Sequence, residues 1–186
     1  HARLLGTFAE LGLADHLDHP RSAHDLAKEL DLDADALHRV LRGLALRGIV
    51  RLDRAGRFRL TRRGRLLRSD HPQSLRPWVR YLMLDATQDA WAALTQTVRS
   101  GEPSFPLVHG QSVWTRMAEH PEEERLFAAS MRRVTEYDLP SITGGYPWPE
   151  QGTVCDVAGG VGTVLAAILR ARPAVRGVLV DAPGVL

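Results

Sequence analysis

The chain has one cysteine, one lysine and no long apolar run in its 186 residues. A lone Cys155 rules out an internal disulfide, and in the mostly β-forming segment Thr153 to Val157 it reads as a small buried core residue. Lys28 stands against 23 arginines, a bias that points to coding composition more than to chemistry, and the net charge of +2 selects no partner class. No segment approaches the roughly 18 consecutive apolar residues of a membrane span. The first residues also lack a charged-then-apolar targeting pattern, so the expectation is a soluble, cytoplasmic protein without a membrane partner. The 44% apolar content is enough for a real core in one or two domains.

The densest signal lies near the far end. Thr153 to Val157 follows the breaker cluster Tyr146-Pro147-Trp148-Pro149 and suits a buried parallel strand. Gly159, Gly160 and Gly162 end it, and Thr163 to Arg172 carries Val164, Leu165, Ile168 and Leu169 at helical spacing before Pro173. A second strand, Gly177 to Asp181, closes on a carboxylate nineteen residues after Gly162. Strand, glycine turn, helix, strand and acid make a βαβ unit of the kind that binds ligands at the carboxyl ends of its strands. There the acid can accept hydrogen bonds from a ribose, although structural glycines and a carboxylate capping its own strand end would give the same pattern. The spacing Asp-x-Ala-x-Gly-x-Gly differs from the Gly-x-Gly-x-x-Gly expected for a pyrophosphate.

Toward the front, Ala2 to Leu17 places Leu4, Leu5, Phe8, Leu11 and Leu17 on one helical stripe. Ser22 caps a second helix ending near Leu30, with Asp25 at its third position. Asp33 caps a third helix bearing Leu37, Val40, Leu41 and Leu44 and ended by Gly48. Ile49 to Leu52, a turn over Asp53 to Gly56, and Arg57 to Leu60 form a hairpin. Three helices and a hairpin predict a winged helix. From His38 to Arg68 there are eleven arginines and a single acid, Asp53. That run is open to three readings: a solvated face, a DNA-contacting face, or arginines that pair with acids of a second subunit or with an acidic surface in a part of the protein beyond this chain. Asp33 and Asp35 lie where a recognition helix would approach phosphate, which disfavours nucleic acid.

Ser74 to Leu84 and Asp85 to Val98 read as two helices, the second presenting Ala90, Trp91, Leu94 and Val98, with Trp91 in core or interface. Gly101 to Pro106 reads as a breaker-rich loop and Ser112 to Glu119 as a helix containing Trp114. Pro121 starts a further helix, with Glu122, Glu123 and Glu124 suiting its dipole. On it, Phe127, Met131 and Val134 form a stripe that fits either core or the wall of a pocket. His109 reads as an exposed loop residue, and no histidine falls in a catalytic motif.

The sequence Asp156-Val157-Ala158-Gly159-Gly160-Val161-Gly162 resembles the first motif of S-adenosylmethionine-dependent methyltransferases, and Val180-Asp181-Ala182-Pro183-Gly184-Val185 resembles the second. The Asp-x-Pro form is similar to O-methyltransferases of the plant caffeate type and their actinobacterial polyketide-tailoring relatives. Ala158 departs from the usual glycine and is expected at negative φ. Phe58 to Leu67 resembles the wing end of the family's N-terminal winged-helix dimerisation domain, and Gly101 to Phe105 its Gly-x-Pro-x-Phe segment.

The resemblance implies a homodimer, S-adenosyl-L-methionine as cofactor, no metal, and an aromatic or polyketide-type acceptor hydroxyl in secondary metabolism. A family member repurposed for another reaction, or a winged-helix regulator, stands as the alternative. Cofactor residues by resemblance are Asp156, Ala158, Gly159, Gly160, Gly162, Asp181 and Thr135, the last equally suited to a surface role. Substrate residues are Phe127, Met131 and Trp114. The expected organisation is a winged-helix dimerisation region over residues 1–100, connecting helices over 101–150, and the first βαβ unit of a Rossmann-like α/β domain over 151–186. The chain begins without methionine and ends after two strands of a sheet that should be larger, so truncation is expected. On that expectation the catalytic base, a histidine in plant-like relatives, lies beyond Leu186.

Overall fold

The computed structural model describes residues 1–182 and 185. Helix α1 (Ala2–Glu10) stops earlier than its apolar stripe suggests, because Gly12 adopts φ 64° and the chain continues as a 3-10 turn over Leu13–His16. Strand β1 (Arg21–Ser22) leads into α2 (Ala23–Leu30), where Ser22 accepts the Asp25 N–H at 3.0 Å and donates to the Asp25 carboxylate at 2.7 Å. Helix α3 (Ala34–Ala45) is capped by Asp33, which accepts the Ala36 N–H at 2.7 Å. Strands β2 (Val50–Leu52) and β3 (Arg57–Leu60) form the expected hairpin, and β1 adds to β3 as an unanticipated third strand in the order β1-β3-β2. Phe8, Leu13, Leu17, Leu26, Leu41, Leu44, Val50 and Phe58 close the core between these helices and one face of the sheet.

The short helix α4 (Arg62–Arg65) is tied to the base of the hairpin by Thr61, whose hydroxyl donates to the Gly48 carbonyl at 2.6 Å. Helix α5 (Arg76–Leu82) is held on α1 by two arginines: Arg76 donates to the Ala9 carbonyl at 2.8 Å, and Arg80 forks onto Glu10 at 2.7 and 3.1 Å.

The single helix expected over 85–98 is two, α6 (Asp85–Ala92) and α7 (Leu94–Ser100). The chain tightens at Ala93, whose N–H is shared between the Asp89 and Ala90 carbonyls. Ala86 and Ala90 are the buried face of α6, while Trp91 is 59% exposed and Leu94 and Val98 are exposed too, so this stripe is not core. Within the expected loop, α8 (Ser104–His109) already begins at Ser104. His109 is therefore not an exposed loop residue: it sits half-buried in the last turn, ring-stacked with Phe105 at 4.5 Å and with Nε2 3.0 Å from the Ala86 carbonyl, docking α8 on α6.

Helices α9 (Val113–Glu119), capped by Ser112, and α10 (Pro121–Gly145) follow. α10 contains Pro140 and packs on α5, α9 and α11 (Thr163–Ala171), so it links the front helices to the final unit. That unit is the parallel pair β4 (Gly152–Val157) and β5 (Val175–Val180), in the register Val154 to Gly177 and Val157 to Val180. α11 covers the face carrying Gly177, where a side chain would stand 2.7 Å from Leu169. The opposite face carries Cys155, Val157 and Val178 in the open, with Val157 71% exposed. Cys155 is thus exposed and not a core residue among the described residues, because strand alternation turns it away from α11, which covers the other face of the pair. No helix among the described residues is long and apolar enough to cross a membrane.

Candidate functional site

Strand β4 delivers its chain end into a turn whose backbone is left-handed at three of five positions: Ala158 at φ 58°, Gly160 at φ 59° and Gly162 at φ 74°. Ala158 is not at the negative φ expected of it. Its N–H donates to the Val180 carbonyl at 2.8 Å, which holds the turn against the end of β5 and forces the αL conformation on a residue with a Cβ. Such a conformation costs an L-residue roughly 1–2 kcal/mol. Ala158→Gly is therefore expected to raise stability by about 1 kcal/mol, partly offset by the greater freedom of glycine in the unfolded chain. Thermal melting of the two proteins measures the difference.

Asp181 follows β5 directly and clamps this turn. One carboxylate oxygen accepts the Gly160 N–H at 2.7 Å, and the other accepts its neighbour Ala182's N–H at 2.7 Å. The strand-end cap and the candidate ribose acceptor are therefore the same group. Each carboxylate oxygen has a second lone-pair direction left for another donor. Asp156 and Gly159 act from below: a Cβ on Gly159 would stand 2.5 Å from the Asp156 carboxylate and 2.6 Å from Leu179. Gly159 is thus required by contact and not by φ. Above the turn nothing lies within 4 Å of where a Gly160 side chain would point, so the backbone is open to close approach by a ligand. Gly162 opens α11 without a side-chain cap, which leaves first-turn N–H groups of that helix as donors at the end of the turn.

The expected substrate residues come together only in part. On α10, Phe127 lies half-buried, 5.8 Å edge-to-face from Trp114 of α9, which is 66% exposed. The cluster extends to two residues not anticipated from sequence, Tyr81 at 5.2 Å from Phe127 and Trp78 at 6.2 Å from Tyr81. Their spacing of three on α5 was the available signal. Met131 and Thr135 follow Phe127 at one-turn intervals along α10 and are half-buried. Among the described residues, Thr135 has no side-chain hydrogen bond. In the second motif, Pro183 and Gly184 lie outside the described residues.

Beside the aromatic cluster, Arg116 forks onto Glu123 at 2.9 and 2.7 Å. The guanidinium's hydrogen bonds and charge hold the Glu123 carboxyl below its ordinary value of 4.5. Burial and the Glu123 charge push the Tyr81 hydroxyl up. A carboxyl depressed in the folded state contributes stability that is present above about pH 4.5 and lost as pH falls through the depressed value. In urea unfolding, Glu123→Gln is expected to be less stable than wild type at neutral pH and to converge with it in acid. His120, Glu122 and Glu123 could also face a metal ion, but both Glu123 oxygens are engaged by Arg116.

A glycine turn clamped by a strand-end carboxylate, in a parallel βαβ unit behind a helical front region, is the arrangement found in nucleotide-binding α/β units. The sequence model of the O-methyltransferase domain matches residues 91–186, and that of the O-methyltransferase dimerisation domain matches residues 2–70. The chain belongs to the O-methyltransferase family. It is similar to O-demethylpuromycin-O-methyltransferase of Streptomyces alboniger, 39% identical over 93% of this chain and 48% of the relative. It is also similar to aclacinomycin 10-hydroxylase of Streptomyces purpurascens, 32% identical over 95% of this chain and 48% of the relative. A solved O-methyltransferase from neocarzinostatin biosynthesis, in complex with S-adenosylmethionine and 2-hydroxy-5-methyl naphthoic acid, superposes at a TM-score of 0.81 with 31% identity, over 99% of this chain and 57% of that one. The chain spans about half the length of the curated relatives it matches.

Proposed function

We propose that the protein carrying this chain is an S-adenosylmethionine-dependent O-methyltransferase that acts on a hydroxyl of an aromatic or polyketide-type small molecule in secondary metabolism. The observation that carries the reading is the Asp181 carboxylate closing the Gly160 turn at the carboxyl ends of two parallel strands. Asp181 accepts from ribose hydroxyls, and the backbone around Ala158 to Gly160 meets the amino-acid portion of the cofactor, with Asp156 and Gly159 buttressing the turn from below. Thr135, by the resemblance to the family, supplies a hydroxyl to the cofactor carboxylate. When bound, the cofactor supplies an electrophilic methyl on a sulfonium. The chain's part is to orient: Phe127, Met131 and Trp114 hold an aromatic acceptor so that its oxygen lines up with that methyl, and such positioning provides much of the rate. No general base is assigned among the described residues.

The three helices and hairpin support a winged-helix dimerisation region over residues 1–100, joined through 101–150 to the Rossmann-like unit over 151–186, in a cytoplasmic homodimer. Two alternatives have specific support. The similarity to a hydroxylase favours a family member repurposed for another reaction, and the arginine-rich hairpin favours a DNA-binding regulator. Calorimetry on the full-length protein separates the regulator from both enzyme readings, and product analysis with labelled cofactor separates the two enzymes. The proposal expects one S-adenosylmethionine per chain, and absence of that binding together with tight, salt-sensitive binding of duplex DNA overturns it.

A further inference from the structure

The charge of this chain is strongly segregated. Residues 38–68 carry eleven arginines against Asp53, while the whole chain is only +2, so the remainder is net acidic. Asp53 is taken by Arg57 at 3.0 Å, and Arg68 by Asp70 at 2.7 Å. Six arginines of the hairpin and α4 remain, namely Arg51, Arg54, Arg59, Arg62, Arg63 and Arg65. All six are exposed, and none pairs with a carboxylate among the described residues. Arg51 and Arg59 stand directly opposite each other across the β2–β3 ladder, on the face turned away from buried Val50, Phe58 and Leu60. Like charges in that relation destabilise a sheet. The support beneath them is fixed: Thr61 bonds the Gly48 and Ile49 carbonyls and accepts the Gly64 N–H, which locks α4 to the hairpin.

We propose that this hairpin–α4 face is a docking surface for an acidic protein partner, one that presents aspartate and glutamate carboxylates to the guanidinium forks. The face holds one exposed large apolar residue, Leu52, whereas the cores of lasting interfaces are depleted of charge. It therefore suits a transient, salt-sensitive encounter and not a permanent subunit contact. Nucleic acid fits less well. The helix that would enter a groove is α3, and its first turn exposes Asp33 and Asp35. The six arginines also lie off that helix.

The test is fluorescence anisotropy on the full-length protein with two probes, a labelled oligo-glutamate peptide and a mixed-sequence DNA duplex, at about 50 and 200 mM salt. The peptide is expected to bind, and to bind about tenfold more weakly at the higher salt. Arg59→Glu is expected to weaken peptide binding by about tenfold or more while raising Tm, since it places opposite charges across the ladder at Arg51. The double variant Arg62→Glu/Arg63→Glu should weaken the peptide similarly without touching the ladder. S-adenosylmethionine affinity should stay at the wild-type level in both, which separates this surface from the cofactor site. Peptide affinity unchanged in the variants would make the arginines a solvated face and overturn the proposal. Tighter binding of the duplex than of the peptide, lost in the same variants, would overturn it in favour of nucleic acid. Concentration-dependent self-association lost in those variants would overturn it in favour of a second copy of this chain.

Discussion

Replacing Asp181 by alanine should weaken S-adenosylmethionine binding by about 100-fold. The carboxylate has two tasks. Its hydrogen bond to the Gly160 N–H fixes the left-handed turn, and its remaining lone pairs accept from the ribose. Hydrogen bonds to a charged group contribute roughly 1.5–3 kcal/mol each, so losing a single ribose contact corresponds to about tenfold to 150-fold in affinity. Asp181→Asn keeps one acceptor oxygen and should fall between wild type and Asp181→Ala. Amide exchange at Gly160 provides a second readout: it should accelerate in Asp181→Ala without any ligand, because the clamp is present in the unliganded protein. Unchanged exchange combined with lost affinity would assign Asp181 to the ribose alone.

Gly64→Ala should destabilise the front region by about 3 kcal/mol, at the upper end of the range for overpacking. Gly64 is buried in α4 where that helix crosses the start of β2, and an added methyl would overlap the Ile49 carbonyl oxygen. That carbonyl cannot retreat cheaply. It accepts from both the Thr61 N–H and the Thr61 hydroxyl, at 3.1 and 3.0 Å. By contrast Gly48, at φ 68°, and Gly56, at φ 75°, have open space where a side chain would stand, so substitutions there meet backbone strain and no overlap. Urea unfolding of Gly64→Ala and Gly56→Ala side by side should show the larger loss at Gly64. Equal losses would mean that α4 lifts away without resistance.

Local signals carried much of this fold. Ser22 and Asp33 each cap the helix their side chains announced, and the alternation of Arg57 to Leu60 buries Phe58 and Leu60 as a period of two requires. Signals that depend on what lies opposite were less legible. Cys155 sits in an apolar strand segment, yet burial of a parallel strand needs cover on both faces, and among the described residues α11 covers one. Trp91, Leu94 and Val98 fall at helical spacing, but small Ala86 and Ala90 form the packed side, and large apolar residues on the outer side leave no mark that separates core from interface.

At the candidate site, the glycines and Asp181 were readable because a turn under a strand end admits few residue types. The conformation of Ala158 was not, since the N–H bond to Val180 that imposes it spans twenty-two residues. Tyr81 and Trp78 share one face of α5 by their spacing of three, but that Tyr81 meets Phe127 across helices is not reported by any pattern within α5.

Methyl transfer itself is the most direct test of the account. The full-length protein is incubated with S-adenosylmethionine carrying a labelled methyl and with a panel of hydroxylated naphthoates, phenazines and anthracyclines, and the products are followed by mass spectrometry. The account predicts label on an oxygen of at least one acceptor, with S-adenosylhomocysteine formed in equal amount, and loss of both products in Asp181→Ala. Label that stays on the cofactor across acceptors that demonstrably bind, or transfer that proceeds undiminished in Asp181→Ala, would contradict it.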